Sequence, residues 1–327
     1  MREVAFIKQN KEKWLDFEQS LDRKNSKSPD ELASLYIHLM NDLAYAQTYY
    51  PKSKVVQYLN GLASKAYQKI YTTKRGNKNI LLYFFLEDVP SLMYKYRRYV
   101  QISFIFFFVF AAIGAISCAY DSEFARSFFG DHYVDTTLEN IKNGRPMAVY
   151  EGGSAWSSFI GITENNITVG AKEFLSGIFL GLGTAYIYMY NAVMVGTFQF
   201  FFFKHNSFWE SVQGIWIHGT FEIFAMIIEA AAGFIIGGSI LFPKTLSRFN
   251  SFKIGIRDAF KIFASTLPFT IIAGFLEGYV TRFANDMPAI LKIVIILICA
   301  TTIVYYYLIY PFKLTKKLQH QHAITKI

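Results

Sequence analysis

Only two cysteines occur in the 327 residues, Cys118 and Cys299, and both fall in long apolar stretches. Two such thiols give neither a disulfide framework nor the paired spacing of a thiolate metal site. Histidine is scarce, with six in the chain. No H-E-x-x-H occurs, so the usual helical signature of zinc hydrolases is missing. A glycine-rich phosphate loop and a G-x-S-x-G nucleophile turn are missing too. Residues 1–98 hold no long apolar run, and the N-terminal MREVAFIKQNKEKW lacks the apolar core of a signal peptide. That pattern predicts insertion through later apolar segments, with the leading domain left in the cytoplasm. No internal repeat is visible.

What the chain does have is apolar length, unevenly placed. It is 53% hydrophobic and 18% aromatic. Residues 1–99 carry 17 Lys/Arg and 10 Asp/Glu, whereas Tyr99–Tyr120 and Phe174–Phe203 have no charge over 22 and 30 residues. A bilayer core needs roughly 20 apolar helical residues, so both stretches qualify. The net charge of +9 reads as topology rather than as a nucleic-acid footprint. Its clusters Tyr94–Arg98, Lys244–Arg257 and Lys313–Lys317 sit beside apolar spans, where basic residues mark the cytoplasmic side and attract anionic lipid. The bilayer is therefore an expected partner and nucleic acid is not.

Helix signals are strong before the first span. Ser28-Pro29-Asp30-Glu31 is a capping box with proline at the first helical position. It predicts a helix from Pro29 to about Tyr49, ending before Pro51. Further helices are predicted from Arg2 to about Asp22 and from Ser53 to Tyr71, with Lys74–Lys78 as a basic turn. Ile80–Leu86 is too short to span, and reads either as a helix on the membrane surface or as a buried helix of the leading domain.

The first span is expected at Val100–Tyr120. Residues 121–165 follow as an extracytoplasmic loop, with 7 acidic against 3 basic residues. Asn166-Ile167-Thr168 matches a glycosylation sequon without other support. Phe174–Phe203 exceeds one span and carries Asn191 in its middle. It is read as two elements meeting near Tyr190–Asn191, the second short and needing protein or cavity cover. Ser211–Phe242, Ala259–Val280 and Met287–Phe312 complete the set. The expected fold is all-α: a polytopic membrane bundle of about six membrane helices, one short or broken. An N-terminal cytoplasmic helical domain (1–98) precedes the transmembrane domain (99–312), and a basic cytoplasmic tail (313–327) follows. The expected site is the cell membrane, with both termini cytoplasmic.

The most informative segment is His218–Gly238. His218, Glu222 and Glu229 lie at i, i+4 and i+11, within about 40° of one another around a helix. Each ionisable group at membrane depth costs about 2.5–3.5 kcal/mol on insertion scales. Three on one face must therefore meet protein, water or each other. They could tie helices together by hydrogen bonds, line a water-filled cavity or ion path, or serve a metal or catalytic site. HxxxE supplies only two ligands, and His38, His132, His205, His320 and His322 belong to other regions, so no metal or other cofactor is expected. Glu277 either reaches the interface or pairs with Arg282. Asn191 turns a broken helix or bonds to the His218/Glu222 stripe. Gly177/Gly181 and Gly233/Gly237 are GxxxG pairs that let backbones approach, within one chain or in a homo-oligomer.

Several segments together resemble one family. They are SPDELASLYIHLMNDLAYAQTYYPKSKVVQYLNGLASKAYQKIY at Ser28–Tyr71, the YKYRRY entry to the first span, Asn165–Gly196, and HGTFEIFAMIIEAAAGFIIG at His218–Gly237. The family they resemble is that of stage II sporulation protein M. The resemblance implies a helical cytoplasmic region and a multi-span bundle. It also implies a namesake that, without catalysis of its own, assembles two cell-wall hydrolases at the septal membrane in spore formers. Relatives outside spore formers accompany an AAA+ ATPase. The expected function is thus a non-enzymatic membrane scaffold or recruiter. Its 1–98 domain would bind a cytoplasmic protein, and its acidic 121–165 loop, which contains Trp156 and several other aromatics, an envelope protein or wall enzyme. A transporter or channel lined by His218, Glu222, Glu229 and Asn191 is the alternative. An intramembrane hydrolase using His218 and Glu222 is the third reading.

Overall fold

Apolar residues spaced three and four apart build the first part of the chain. In the computed structural model, which describes residues 2–21, 29–71, 79–121 and 123–324, the chain divides into two compact units, Met1–Lys78 and Asn79–Ile327. The first contains α1 (Glu3–Ser20), α2 (Pro29–Tyr49) and α3 (Lys54–Tyr71). Phe6, Trp14 and Phe17 of α1 meet Leu39, Leu43 and Ala46 of α2 and Leu59, Leu62 and Ala66 of α3 in one core. Each set forms a single stripe of its helix. Polar ties surround that core: Trp14 Nε1 donates to Asp42 at 2.8 Å and the Tyr58 hydroxyl to Glu18 at 2.9 Å. The helix bounds agree with those read from capping and proline signals. Ser28 of the capping box, Asp22 and the Lys74–Lys78 turn lie outside the described residues.

The second unit opens with α4 (Ile80–Tyr83), a π-turn at Phe84–Asp88 and α5 (Val89–Lys95). Ile80, Leu81 and Leu82 are exposed, whereas Val89 and Met93 are buried in the main core of this unit. The short apolar segment is therefore split in character, and its α5 end is a buried part of the second unit. Lys95 Nζ lies 2.6 Å from Asp258, and Lys261 Nζ 2.6 Å from Asp88. These pairs pin the segment to α12 (Arg248–Phe275).

From there α6 (Arg97–Tyr120) runs to the acidic stretch, which is not an open loop. It folds as α7 (Phe124–Phe129) and α8 (Asp131–Lys142), with a 3-10 turn at Ala148–Tyr150, before α9 (Ala155–Leu175). Its acidic count hides internal pairing, since Arg126 bonds Asp131 at 3.1 Å and Asp135 at 2.7 Å. Val134, Leu138 and Ile141 of α8 pack with Phe198 and Phe202, a helical spacing embedded in polar sequence.

The expected break at Tyr190–Asn191 is corrected. α10 (Leu182–Lys204) passes unbroken through Asn191, whose Nδ2 donates to the Ile187 carbonyl at 3.0 Å. The asparagine thus bonds within its own helix instead of ending it. The chain breaks earlier, after a 3-10 turn at Ser176–Ile178, where Leu180 and Gly181 have φ of 58° and 81°. Ala192–Phe203 is consequently no separate short element.

α11 (Phe208–Leu241) is the hub, with 34 residues, and packs on α6, α9, α10, α12 and α13 (Ala289–Val304). The basic Lys244–Arg257 stretch is helical from Arg248, where Ser247 Oγ accepts from the Asn250 N–H. α12 ends in a π-turn at Leu276–Val280, and α13 continues through another π-turn into α14 (Tyr310–Ile324). Among the described residues there is no strand. Four helical segments among the described residues are long and apolar enough to cross a membrane: Arg97–Tyr120, Phe208–Leu241, Arg248–Phe283 and Ala289–Gln319. The fold is an all-α membrane helix bundle.

Candidate functional site

One turn of α11 separates His218 from Glu222, and the π-turn closing α12 delivers Glu277 beside them. The three residues offer ligand atoms that all lie within 4.8 Å of one another. A π-turn inserts one extra residue into a helix and re-aims the side chains that follow, a device common at functional sites. Here it directs Glu277 inward. Arg282, the partner considered for Glu277, instead donates to the carbonyls of Glu151 and Gly153 at 3.0 and 2.9 Å.

Each member is held by a neighbour. His218 Nδ1 lies 2.9 Å from Thr281 Oγ1, and the Tyr150 ring packs on the imidazole with centroids 5.7 Å apart. Asn166, from α9, donates its side-chain amide to Glu222. Carboxylate oxygens of Glu222 and Glu277 lie within 4.8 Å of one another. His218 is buried, and Glu222 and Glu277 are partly buried. All three line a cavity of about 500 Å³ with Tyr150, Asn166 and Trp216 among its walls.

Glu229 lies two turns further along the same face. Thr266 donates to it at 2.6 Å, and Gly170 of α9 leaves room for its carboxylate. It lines a second cavity of about 150 Å³ with Asn166, Asn191, Glu222 and Thr270. The two cavities share Asn165, Asn166, Met194, Val195, Glu222 and Ile223, so polar lining continues from Glu277 to Glu229. Asn191 faces this second cavity but bonds elsewhere, donating to Glu173 at 3.3 Å.

Glu173, Asn166, Tyr150, Thr266 and Thr281 were not singled out in the sequence. Glu173 is fully buried, and its Oε2 has no hydrogen-bond partner. Glu173 sits immediately outside the uncharged Phe174–Phe203 run, so the rule that singles out ionisable groups within apolar runs passes over it. Asn166 was weighed only as a sequon; in the fold it lies within a helix and faces Glu222. The glycine pairs meet one another across the bundle. A Cβ on Gly177 would collide with the Gly233 backbone, and one on Gly237 with the Gly181 backbone.

A family model described as Stage II sporulation protein M matches residues 103–282, which include every residue of this polar cluster. A second, described as a domain of unknown function (DUF8413), matches residues 4–72. No curated protein and no solved structure matches the chain.

Proposed function

The chain belongs to the stage II sporulation protein M family, and from that premise we propose that it is a non-enzymatic scaffold of the cell membrane. The observation that carries this reading is modularity. The Met1–Lys78 unit has its own core and its own family match over residues 4–72, as expected of a docking module fused to a membrane anchor. In this reading the module binds a cytoplasmic protein of the AAA+ ATPase kind. The α7–α8 layer, braced by Arg145 on Glu151 and Asp286 at 2.9 and 3.1 Å, would engage an envelope or wall-remodelling protein. Orientation follows from charge. Lys95, Arg257 and Lys261 gather around Asp258 and Asp88, and basic residues mark the cytoplasmic side. Both termini are then cytoplasmic and the chain is multi-pass. Crosslinking in native membranes, followed by purification of the full chain, should recover a stoichiometric partner. Recovery of none under conditions that keep the chain folded would reject the scaffold.

A second reading, a path for cations or protons, is favoured by the continuous polar lining from Glu277 to Glu229. Irregular and ionisable groups at membrane depth commonly mark such paths. Protein reconstituted in vesicles should then pass cations or protons, and Glu222→Gln should abolish the flux. Absence of flux across a wide pH range would remove this reading.

A further inference from the structure

We propose that His218, Glu222 and Glu277 form a binding site for one divalent first-row transition-metal ion, with an open coordination position facing the larger cavity. The inference stands whether or not the protein recruits partners.

Four observations on the geometry support it. First, His218 Nε2 lies 3.7 Å from Glu277 Oε2. That is too long for a hydrogen bond. Two ligands on one tetrahedral ion at about 2.0–2.1 Å stand roughly 3.3 Å apart, so a closure of a few tenths of an ångström would bring this pair onto an ion. The whole set starts within 4.8 Å, and flexible glutamate side chains can supply the remainder.

Second, the outer shell is already present. Thr281 Oγ1 at His218 Nδ1 can accept the Nδ1 proton, which leaves the Nε2 lone pair free and pointed at the carboxylates. Metal-binding imidazoles are ordinarily held in this way, through their second nitrogen. Asn166 does the same for Glu222 by donating to one of its oxygens.

Third, two carboxyls with oxygens within 4.8 Å of one another beside a buried imidazole carry charge that a shared proton or a bound cation must offset. Lys and Arg are absent from the lining of both cavities, so no side-chain cation stands in.

Fourth, three ligands leave a position open, and the cavity of about 500 Å³ gives a water or incoming group access to it. Closed structural sites use four protein ligands; three with an open position is the arrangement of reactive or exchanging metals. The mixed imidazole and carboxylate set suits zinc, cobalt or manganese better than magnesium or calcium, which prefer all-oxygen shells. HxxxE alone offers only two ligands, and folding brings the third from 55 residues away in sequence, Glu222 to Glu277.

The test uses the full chain, free of any polyhistidine tag, in lipid nanodiscs. It is stripped with chelator and dialysed against Co2+ or Zn2+. About one ion per chain is expected, and Co2+ should give the visible d–d bands of a four- or five-coordinate site. Glu277→Gln and His218→Asn should weaken binding by at least about 100-fold, and Thr281→Val by roughly 10–100-fold. Glu210→Gln, exposed on the same helix and lining neither cavity, should bind like the parent. Should His218→Asn fail to fold, the milder Thr281→Val and the Co2+ spectrum still decide. Absence of a stoichiometric ion in the parent would overturn the proposal. So would undiminished binding in a Glu222→Gln/Glu277→Gln double variant, which would assign the ion to another place such as His320 and His322.

Discussion

The two units of this chain solve opposite problems. Met1–Lys78 buries Phe6, Trp14, Phe17 and Leu59, and among its described residues only Asn10 and Ser20 are buried polar side chains. Asn79–Ile327 exposes Ile102, Ile105, Phe108, Ile290 and Leu297, and buries Glu173, His218, Glu229, Asp258, Ser265 and Thr266. In water, removing apolar surface drives packing at about 25 cal/mol per Å². In lipid that gain between helices vanishes, and close backbone packing and polar contacts hold the bundle instead. The second unit accordingly keeps its polar groups inside and uses glycine where helices meet.

Variants can test this contrast by attacking what each unit depends on. The largest effect is expected from Gly233→Leu. Its Cβ would meet the Thr184 side chain and the Glu173 backbone, and backbone cannot retreat as a side chain can. A leucine places four side-chain carbons where not even a Cβ fits, well beyond the added methylenes whose overpacking costs about 1–3 kcal/mol, so loss of the monodisperse bundle on size exclusion is expected. A parent-like elution profile and thermal midpoint would contradict the glycine-contact account.

Trp14→Ala comes next. Removing a buried Trp costs about 3–5 kcal/mol, concentrated in the first unit. Hydrogen exchange should rise across residues 2–71 while the bundle keeps its protection. Equal loosening of both units would show that they are not separately cored.

A smaller effect, of opposite sign, is expected at Glu173. Its Oε2 is buried without a partner, and an unsatisfied buried polar atom costs about 1–3 kcal/mol. Glu173→Met removes that orphan oxygen at similar volume while Asn191 keeps its bond to the Ile187 carbonyl, so a higher thermal midpoint is expected. A lower midpoint would mean that the carboxylate is met by a bound proton or cation in the membrane.

The smallest belongs to the first unit's surface. Tyr58 is pushed up to about 12 by burial and by its hydrogen bond to Glu18. A raised phenol pKa means the stabilising contribution is complete below pH 10 and fades as pH rises through about 12. Tyr58→Phe should cost no more than about 0.5 kcal/mol near neutrality and flatten the stability of the first unit between those two pH values. An unchanged alkaline limb would assign that pH dependence to another group.

Much of this was legible beforehand, for identifiable reasons. Proline and capping signals bound α2 closely because helix termination is local chemistry. The His218/Glu222/Glu229 stripe followed from helical periodicity. Asn191 misled because a polar residue inside an apolar run resembles a breaker, yet its amide reaches the carbonyl one turn back. The real break at Leu180–Gly181 depends on two residues adopting positive φ, and leucine does not announce that. Helix α9 was hidden because its Thr, Asn and Glu residues read as loop; of these, Asn165 and Asn166 line the cavities beside α11.

Which face of α11 carries ionisable groups is a property of residue order, because a helix repeats with a fixed local geometry. Which groups meet that face is not. Asn166, Thr266, Glu277 and Thr281 lie tens of residues away along the chain, and a π-turn directs Glu277 inward. Burial makes polar groups find partners, but helix packing alone selects which ones.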